Sequence, residues 1–441
     1  MKIKFLGIIA LLLTVTLVSC NRELPNEQGD IESRTVNYSQ SELSGDLVDM
    51  NETFQILGKE GASNLSYTYK AYGEPPIVNG IPTNATSVTS INDMVFVTWH
   101  TLNSPYGGSI TAYKSVGIGR YTFTDRIDFL DTDFHEAAAN RNPDNGTYEL
   151  FAVGQRDPDQ SGYLLTNHRG AVVTRIDYDY ISDAFIPSTF NELPLPGFAG
   201  NDIVAAAGDY YIVTGNGNAN SSAQYVPCGI FRTDYSLRNV SEFTNLNDGI
   251  AVVLFTGGSG ASSTRAEISV LDRTGLNQFR VSNPRVVTDG SGALNNNLMS
   301  GARNINTIGT NVERGGLTWA IKEGSTHWTN PDSLLVATGE SGLYTAKGDF
   351  VVDYGTCLST AYDAGARVIY YAGGDGGLYV LAADGYNGGA LINTFDLVGI
   401  FTPPTGGAFP SQYDIKNVSV YGSRNIALAT GNAGVYFIYR N

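Results

Sequence analysis

Charge is scarce in this chain of 441 residues: Asp, Glu, Lys and Arg make up 16%, with 27 basic residues against 43 acidic ones and a formal net charge of −16. Phosphate contacts are made by clustered Lys and Arg, so this balance argues against a nucleic-acid partner. It equally argues against attachment to an anionic membrane face through a basic patch, and the acidic excess favours solubility. Cysteine is nearly absent too. Beyond Cys20 only Cys228 and Cys357 remain, in unrelated surroundings, and both read as small core residues rather than a disulfide pair. The four histidines, His100, His135, His168 and His327, show no His-x-x-x-His spacing, and no Cys-x-x-Cys exists. A zinc centre built from neighbouring ligands is therefore not expected, and no metal or cofactor is implied. Long helical patterns with caps are missing after the first twenty residues.

What the chain does have is apolar residues at 42%, 51 glycines and 26 tyrosines. β-branched and aromatic residues suit pleated surfaces, while Gly supplies the positive φ that tight turns need, so the composition predicts short strands and many turns. The amino terminus, MKIKFLGIIALLLTVTLVSC, carries Lys2 and Lys4 ahead of an apolar run from Phe5 to Val18. A charged start, a short apolar core and small residues before the break form an export signal rather than a membrane span. The Leu17-Val18-Ser19-Cys20 ending resembles the bacterial lipobox, which implies acylation of the Cys20 sulfur and attachment to a bacterial membrane, in the cell envelope and at the outer membrane. Several acyl chains on one residue make a firm anchor, because each buried methylene adds about 0.8 kcal/mol. Residues 1–19 are then the signal peptide and 20–60 a lipidated cysteine and flexible tether, polar and without periodicity; 61–441 form the folded domain.

That domain is repetitive. Each copy has an apolar run, a Gly-rich turn and a second run that opens on Gly. The clearest copies are SLLVATGESGLYTAKG (333–348), VIYYAGGDGGLYVLAADG (368–385) and IALATGNAGVYFIYRN (426–441). Looser versions begin at Asp93, Tyr148, Asp209 and Ile250, making seven copies. Their matching positions are Val97, Val153, Val213, Leu254, Ala337, Tyr371 and Ala429. The spacing suits a unit of about four strands, the size of a propeller blade. Two steps are uneven, 41 residues from Val213 to Leu254 and 83 from Leu254 to Ala337, and an insertion around 280–315 accounts for the second. The runs at 201–208, 315–323, 356–363 and 415–422 suit inner strands. The fold class is thus an all-β propeller of seven blades, with six or eight as alternatives. Because the last copy lacks a fourth strand and LSYTYKAYG (65–73) precedes the first copy, pairing of the N- and C-terminal strands is expected to close it.

The strand, Gly/Asp turn and Gly377-Leu378-Tyr379-Val380 pattern resembles the LVIVD-type repeat of bacterial β-propellers, and Gly342-Leu343-Tyr344 and Gly434-Val435-Tyr436 match the same place. The resemblance is good over the last three copies and loose over the other four. A kelch-like alternative rests on Phe255-Thr256-Gly257-Gly258 followed by Val270-Leu271-Asp272, but the tryptophan usual in kelch blades is missing. Propellers of this kind share no chemistry, so the resemblance implies a fold and little else.

Candidate chemistry is thin. The glycines at 373–377 superficially resemble a phosphate-binding loop, which needs a following helix; Leu378-Tyr379-Val380-Leu381 is a strand instead, so a hairpin turn is expected. Asp375 is the one residue there that could still face a ligand. Asp144, Asp157 and Asp159 offer oxygens but no calcium motif, and read as solvated turn residues. No Gly-x-Ser-x-Gly elbow or sialidase-type aspartate box is recognisable. The rare aromatics give the only ligand candidates: Trp99 and His100 at a strand end, Trp319 in GGLTWAIKE, and His327 and Trp328 in EGSTHWTNPD. Loop aromatics can stack on sugars or anchor a partner. Packing between blades is the simpler expectation for Trp99 and Trp319, while Trp328 lies evenly between the two roles. The sequence therefore points to a lipid-anchored, non-catalytic binding or scaffolding module for a glycan or protein ligand. The alternative is a carbohydrate-active enzyme, a lyase or glycosidase, working through channel carboxylates that the sequence does not locate.

Overall fold

The structure is a computed structural model that describes residues 34–38, 47–56, 65–101, 105–142, 145–157, 170–206, 209–215, 228–234, 237, 240–245, 248–256, 265–273, 275–282, 298–299, 315–320, 334–345, 350–352, 354–383, 395–405, 409–422 and 424–441. Arg34–Asn441 form one compact unit. Among the described residues it contains seven sheets of four to six strands and a two-stranded ribbon, Ile77–Val78 with Ile81–Pro82.

Within each sheet the innermost strands form an antiparallel meander in chain order. The first comprises Asn84–Ile91, Met94–His100, Gly108–Gly117 and Arg120–Phe129. The second comprises Thr132–Arg141, Thr147–Arg156, Ala171–Asp179 and Ala184–Pro194. Ala199–Ala206, Asp209–Gly215, Gly229–Asp234 and Val240–Asn245 make the third. Gly249–Thr256, Arg265–Asp272, Gly275–Ser282 and Leu298–Met299 make the fourth. The fifth is Gly316–Trp319, Leu334–Ala337, Leu343–Thr345 and Phe350–Val352. The sixth is Ser359–Asp363, Val368–Ala372, Leu378–Ala383 and Phe395–Phe401. In the seventh, Asn417–Tyr421, Asn425–Ala429 and Val435–Arg440 are followed outward by Leu65–Gly73 from the other end of the chain.

The first strand of each sheet packs against the first strand of the next, and Asn417–Tyr421 packs back on Asn84–Ile91. Sheets arranged radially around such a cycle of inner strands are a β-propeller. Second strands are covered on both faces: every residue of Val368–Ala372 and of Thr147–Arg156 is buried. This is why Val368–Ala372 is a continuous apolar run rather than an alternating one. The core is accordingly a series of layers between neighbouring sheets. Trp99, Tyr113 and Tyr121 meet Ala427, Val435 and Phe437 between the first and seventh sheets. Phe151 stacks on Tyr210 at 3.6 Å between the second and third. Tyr67, Tyr370, Val380 and Phe401 fill the layer between the sixth and seventh.

Three expectations change. The fourth repeat copy is out of phase: its two runs are the first and second strands of their sheet, whereas the other hairpins join second and third strands. The uneven steps of 41 and 83 residues follow from this slip, because a run–turn–run pattern does not reveal which hairpin of a meander it belongs to. The supposed insertion at 280–315 lies mostly outside the described residues.

Second, part of the expected tether belongs to the fold. Thr35–Asn37 extends the first sheet beside Arg120–Phe129, and Leu47–Asp49 and Thr53–Ile56 both pair with Leu65–Gly73. Arg34 is the physical reason: its guanidinium grips Asp131 at 2.7 and 2.9 Å and Glu192 at 3.2 Å, and Arg156 meets the same two carboxylates. Burial alone would raise the Asp131 carboxyl, yet the Arg34 hydrogen bond and the nearby Arg34 and Arg156 charges hold it below its ordinary range. Cys228 and Cys357 are buried and are not joined in a disulfide.

Third, the glycine cluster at 373–377 is a turn with an added task. Gly374 and Gly377 have φ of 61° and 104°, which a side chain rarely tolerates. The turn also reaches the next sheet, where Gly374 and Ile415 exchange backbone hydrogen bonds of 3.3 and 3.0 Å. Gly339 exchanges the same pair with Cys357, and Gly431 accepts from the Ala85 N–H.

Candidate functional site

Each of the first four inner strands begins with an irregularity. Its register against the second strand skips one residue, at Thr86, His135, Asn201 and Ile250. A bulge re-aims a side chain, and here three re-aimed side chains reach the next sheet, each meeting the carbonyl just ahead of that sheet's own bulge. Thr86 Oγ1 donates to the Phe134 carbonyl at 3.0 Å, His135 Nδ1 to Gly200 at 3.0 Å, and Asn201 Nδ2 to Gly249 at 2.6 Å. Because a carbonyl oxygen only accepts, the His135 proton sits on Nδ1, and burial lowers the tendency of this ring to take a second proton. Thr318 Oγ1 makes a similar bond to the Thr360 carbonyl at 2.6 Å.

The residues directly after three of these bulges are Ser87, Glu136 and Asp202, each on one of the inner strands that follow one another around the ring. Glu136 Oε1 accepts from the Ala137 N–H at 3.0 Å, and Oε2 accepts from Asn417 Nδ2 of the seventh sheet at 3.1 Å. Ser87 also bonds the Glu136 carboxyl. Asp202 Oδ1 accepts from the Ile203 N–H and Oδ2 from the Val252 N–H of the fourth sheet, both at 2.7 Å. All four carboxyl oxygens thus hold donors, and none of the donors is a cation.

Both residues keep some exposure, but protein surrounds their carboxyl groups. Burial pushes the Glu136 carboxyl well above its ordinary range, and the nearby Asp202 charge pushes it further. Burial likewise lifts Asp202 against its two backbone donors. Two neighbouring carboxylates without a cation cannot both ionise cheaply, so the pair retains a proton where isolated acids have lost theirs. Asp133, on the same inner strand as Glu136, is pushed up to about 6 by burial, although the Gly107 and Thr101 N–H groups oppose the rise.

The sequence candidates fall elsewhere. Trp99 is fully buried in the layer between the first and seventh sheets, with Nε1 donating to Thr111 Oγ1 at 2.8 Å. It is a packing residue rather than a ligand-binding one, because a second strand is covered on both faces. His100 is half-buried, its ring 5.9 Å from that of His135 at 89°. Trp319 ends the inner strand of the fifth sheet, opposite Leu334. Cys20, His327, Trp328, Asp144 and Asp159 lie outside the described residues. No group of three or more His, Cys, Asp and Glu among the described residues is placed to hold a metal ion. Glu136 and Asp202 are not singled out by sequence reasoning, although each opens a small or apolar run, Glu136-Ala137-Ala138-Ala139 and Asp202-Ile203-Val204-Ala205. An acid at the head of an inner strand is the available signal.

No protein-family profile and no curated protein matches the chain. Solved structures similar to it include U3-55K, with a TM-score of 0.47 and 8% identity over 83% of this chain and 98% of that one. The WD40 β-propeller domain of Doa1 has a TM-score of 0.46 and 9% identity over 85% and 97%. YCF48 bound to D1 peptide has a TM-score of 0.42 and 12% identity over 88% and 98%.

The carboxyl pair sets a pH dependence. Unfolding returns both groups to ordinary values near 4, so between that range and the raised folded values the native state binds more protons than the unfolded one. Stability should fall as pH rises from about 5 towards 9, by on the order of 2 kcal/mol from this pair, and Asp133 adds the same sign up to about 6. Urea unfolding at pH 5 and pH 8.5 measures it. Glu136→Gln, which Asn417 can accommodate by flipping its amide, should flatten the profile; an unchanged slope would show that the pair is not its source.

Proposed function

We propose that this protein is a non-catalytic binding or scaffolding propeller of a bacterial cell envelope, recognising a protein or glycan. The observation that carries the reading is the commitment of the central carboxyls: donors from the second, third, fourth and seventh sheets occupy all four oxygens, so the pair braces the ring. Ligand contacts then belong to the turns and links on the face where inner strands begin, held in place by that brace. A second reading, a carbohydrate-active enzyme, draws support from the same pair, because a carboxyl kept protonated near neutrality is what a general acid requires. Incubation with a panel of polysaccharides, assayed for new reducing ends or unsaturated products, separates the two. No product is expected; turnover abolished by Glu136→Gln would replace the binding reading with the enzymatic one.

We read the seven sheets as seven blades, of the LVIVD-like kind suggested by the Gly-Leu-Tyr repeats, and the pairing of Val435–Arg440 with Leu65–Gly73 as the closure of the ring. Supporting this, Val435 lies opposite Gly73 and Arg440 opposite Tyr67 in an antiparallel register, and Tyr67, Tyr69 and Tyr72 join the seventh-sheet core. Removing the residues before Glu74 should lower the melting midpoint by on the order of 10 °C or more. A truncated protein as stable as the parent would refute the closure.

Export and anchoring through Cys20 complete the proposal, supported by Lys2 and Lys4, the apolar run and the Leu-Val-Ser-Cys ending. Labelled palmitate should enter the wild-type chain in a bacterial host and be absent from Cys20→Ala; equal labelling of the two would remove the anchor.

A further inference from the structure

The sixth-sheet turn departs from its own repeat. In the fifth and seventh sheets a threonine opens the turn, and Thr338 and Thr430 each tie it with a 2.8 Å hydroxyl bond to the carbonyl of Gly342 or Gly434. The sixth sheet has Gly373 in that place and Gly376 where Ser341 and Ala433 stand. The turn geometry needs neither change, since its positive-φ positions are Gly374 and Gly377. Two extra glycines loosen the unfolded chain and forgo the hydroxyl tie, so something else must require them.

Tyr379 requires them. A Cβ on Gly373 would meet the Tyr379 ring at 2.4 Å, and one on Gly376 would meet its hydroxyl at 2.7 Å. With both side chains absent the ring lies down on the turn, and Tyr354 stacks over it at 5.1 Å and 7°. Tyr379 Oη donates to the Tyr354 carbonyl at 3.1 Å, and the Tyr371 ring supports Tyr379 edge-on at 5.3 Å. Tyr379 is itself buried, whereas Tyr354 and Tyr413 are half-buried and Asp375, at the tip of the turn, is exposed. Gly376, next to Asp375, lies against the Tyr379 hydroxyl, and Gly374 on its other side bonds Ile415, two residues beyond Tyr413. Burial raises both tyrosine hydroxyls, and the Asp375 charge adds to the rise. Among the described residues Asp375 has no ion-pair partner, while the adjacent Asp414 is neutralised by Lys416. The cluster is therefore an aromatic surface with one uncompensated negative charge, on the face where inner strands begin.

We infer that Tyr354, Tyr413 and Asp375 form a docking site for an arginine side chain carried on a basic segment of a partner protein. Charge complementarity selects this occupant. A guanidinium can lie against a tyrosine face by cation–π attraction while it pairs with a carboxylate, and it does both better than an ammonium because it is planar and weakly hydrated. The overall charge of −16 adds longer-range attraction for a basic segment. Tyr379 acts as a positioning residue, holding Tyr354 flat. The inference rests on the binding reading above and names the partner class.

A fluorescein-labelled peptide of alternating Arg and Ser, titrated by anisotropy onto the full chain, tests it. Glu340 occupies the place of Asp375 in the fifth-sheet turn and is likewise exposed, so Glu340→Gln removes the same charge without touching the tyrosines. Asp375→Asn and Tyr354→Ala should each weaken the peptide about tenfold, with Glu340→Gln close to wild type and melting midpoints unchanged. Equal weakening by Asp375→Asn and Glu340→Gln would reduce the effect to general charge and overturn the site, as would no binding by the wild-type chain. A neutral hexasaccharide that binds the wild-type chain, is lost in Tyr354→Ala and is unaffected by Asp375→Asn would overturn it in favour of a glycan. None of these outcomes bears on turnover through Glu136, by which alone the binding reading falls.

Discussion

Among the described residues, six of the seven junctions in this ring depend on how an inner strand begins. The backbone groups at that point have left one sheet and not yet joined the next ladder, and a buried N–H or C=O without a partner is costly. The protein meets the constraint in two ways. In the last three sheets the turn between second and third strands reaches over, and a positive-φ glycine (Gly339, Gly374 or Gly431) bonds the chain entering the next sheet. In the first three, a bulged side chain (Thr86, His135 or Asn201) reaches forward to a carbonyl of the next inner strand. The junction between the first and second sheets adds a carboxylate: Asp133 of the second accepts from the Thr101 and Gly107 N–H groups of the first. Sheets that share few backbone bonds with one another are thereby held in a fixed angular relation.

The central acids follow from this arrangement. Once a bulge has turned one residue toward the neighbouring sheet, the next residue, Ser87, Glu136 or Asp202, is brought toward the middle of the ring. There the carboxyls gather backbone and amide donors from four sheets, and burial disfavours their ionisation. The cost of burying two acids is offset by bonds that cross sheet boundaries, so the pair acts on ring geometry more than on the stability of any one sheet. Tyr67, Tyr370 and Tyr436 are layers of core, while Tyr354 stays half-buried over Tyr379, to which the glycine-rich sixth turn gives a place to lie.

Much of the fold was legible. A turn with glycines at fixed places, flanked by apolar runs, is local information, and it located second and third strands in six sheets. It failed in the fourth because the same pattern, Ile250 to Asp272, there spans the first and second strands. A meander repeats one hairpin motif, and only pairing shows its phase. The tether was overextended for a related reason: Thr35–Asn37 is three residues long, without a pattern of its own, and is held by Arg34 reaching carboxylates about 100 and 160 positions away.

The site was much less legible. Rarity drew attention to Trp99, but rarity does not report exposure, and a tryptophan on a second strand is enclosed by the neighbouring sheet. Glu136 meets Asn417 across a separation of 281 residues, and no spacing rule connects them. Local residue type and spacing carry the strand-and-turn grammar and the repetition, since both are written within a few neighbouring residues. Which acids raise one another, which tryptophan is core and which turn presents an aromatic surface emerge only once the sheets are in place. Those outcomes depend on what lies opposite each side chain after the ring has formed, and no residue carries that information alone.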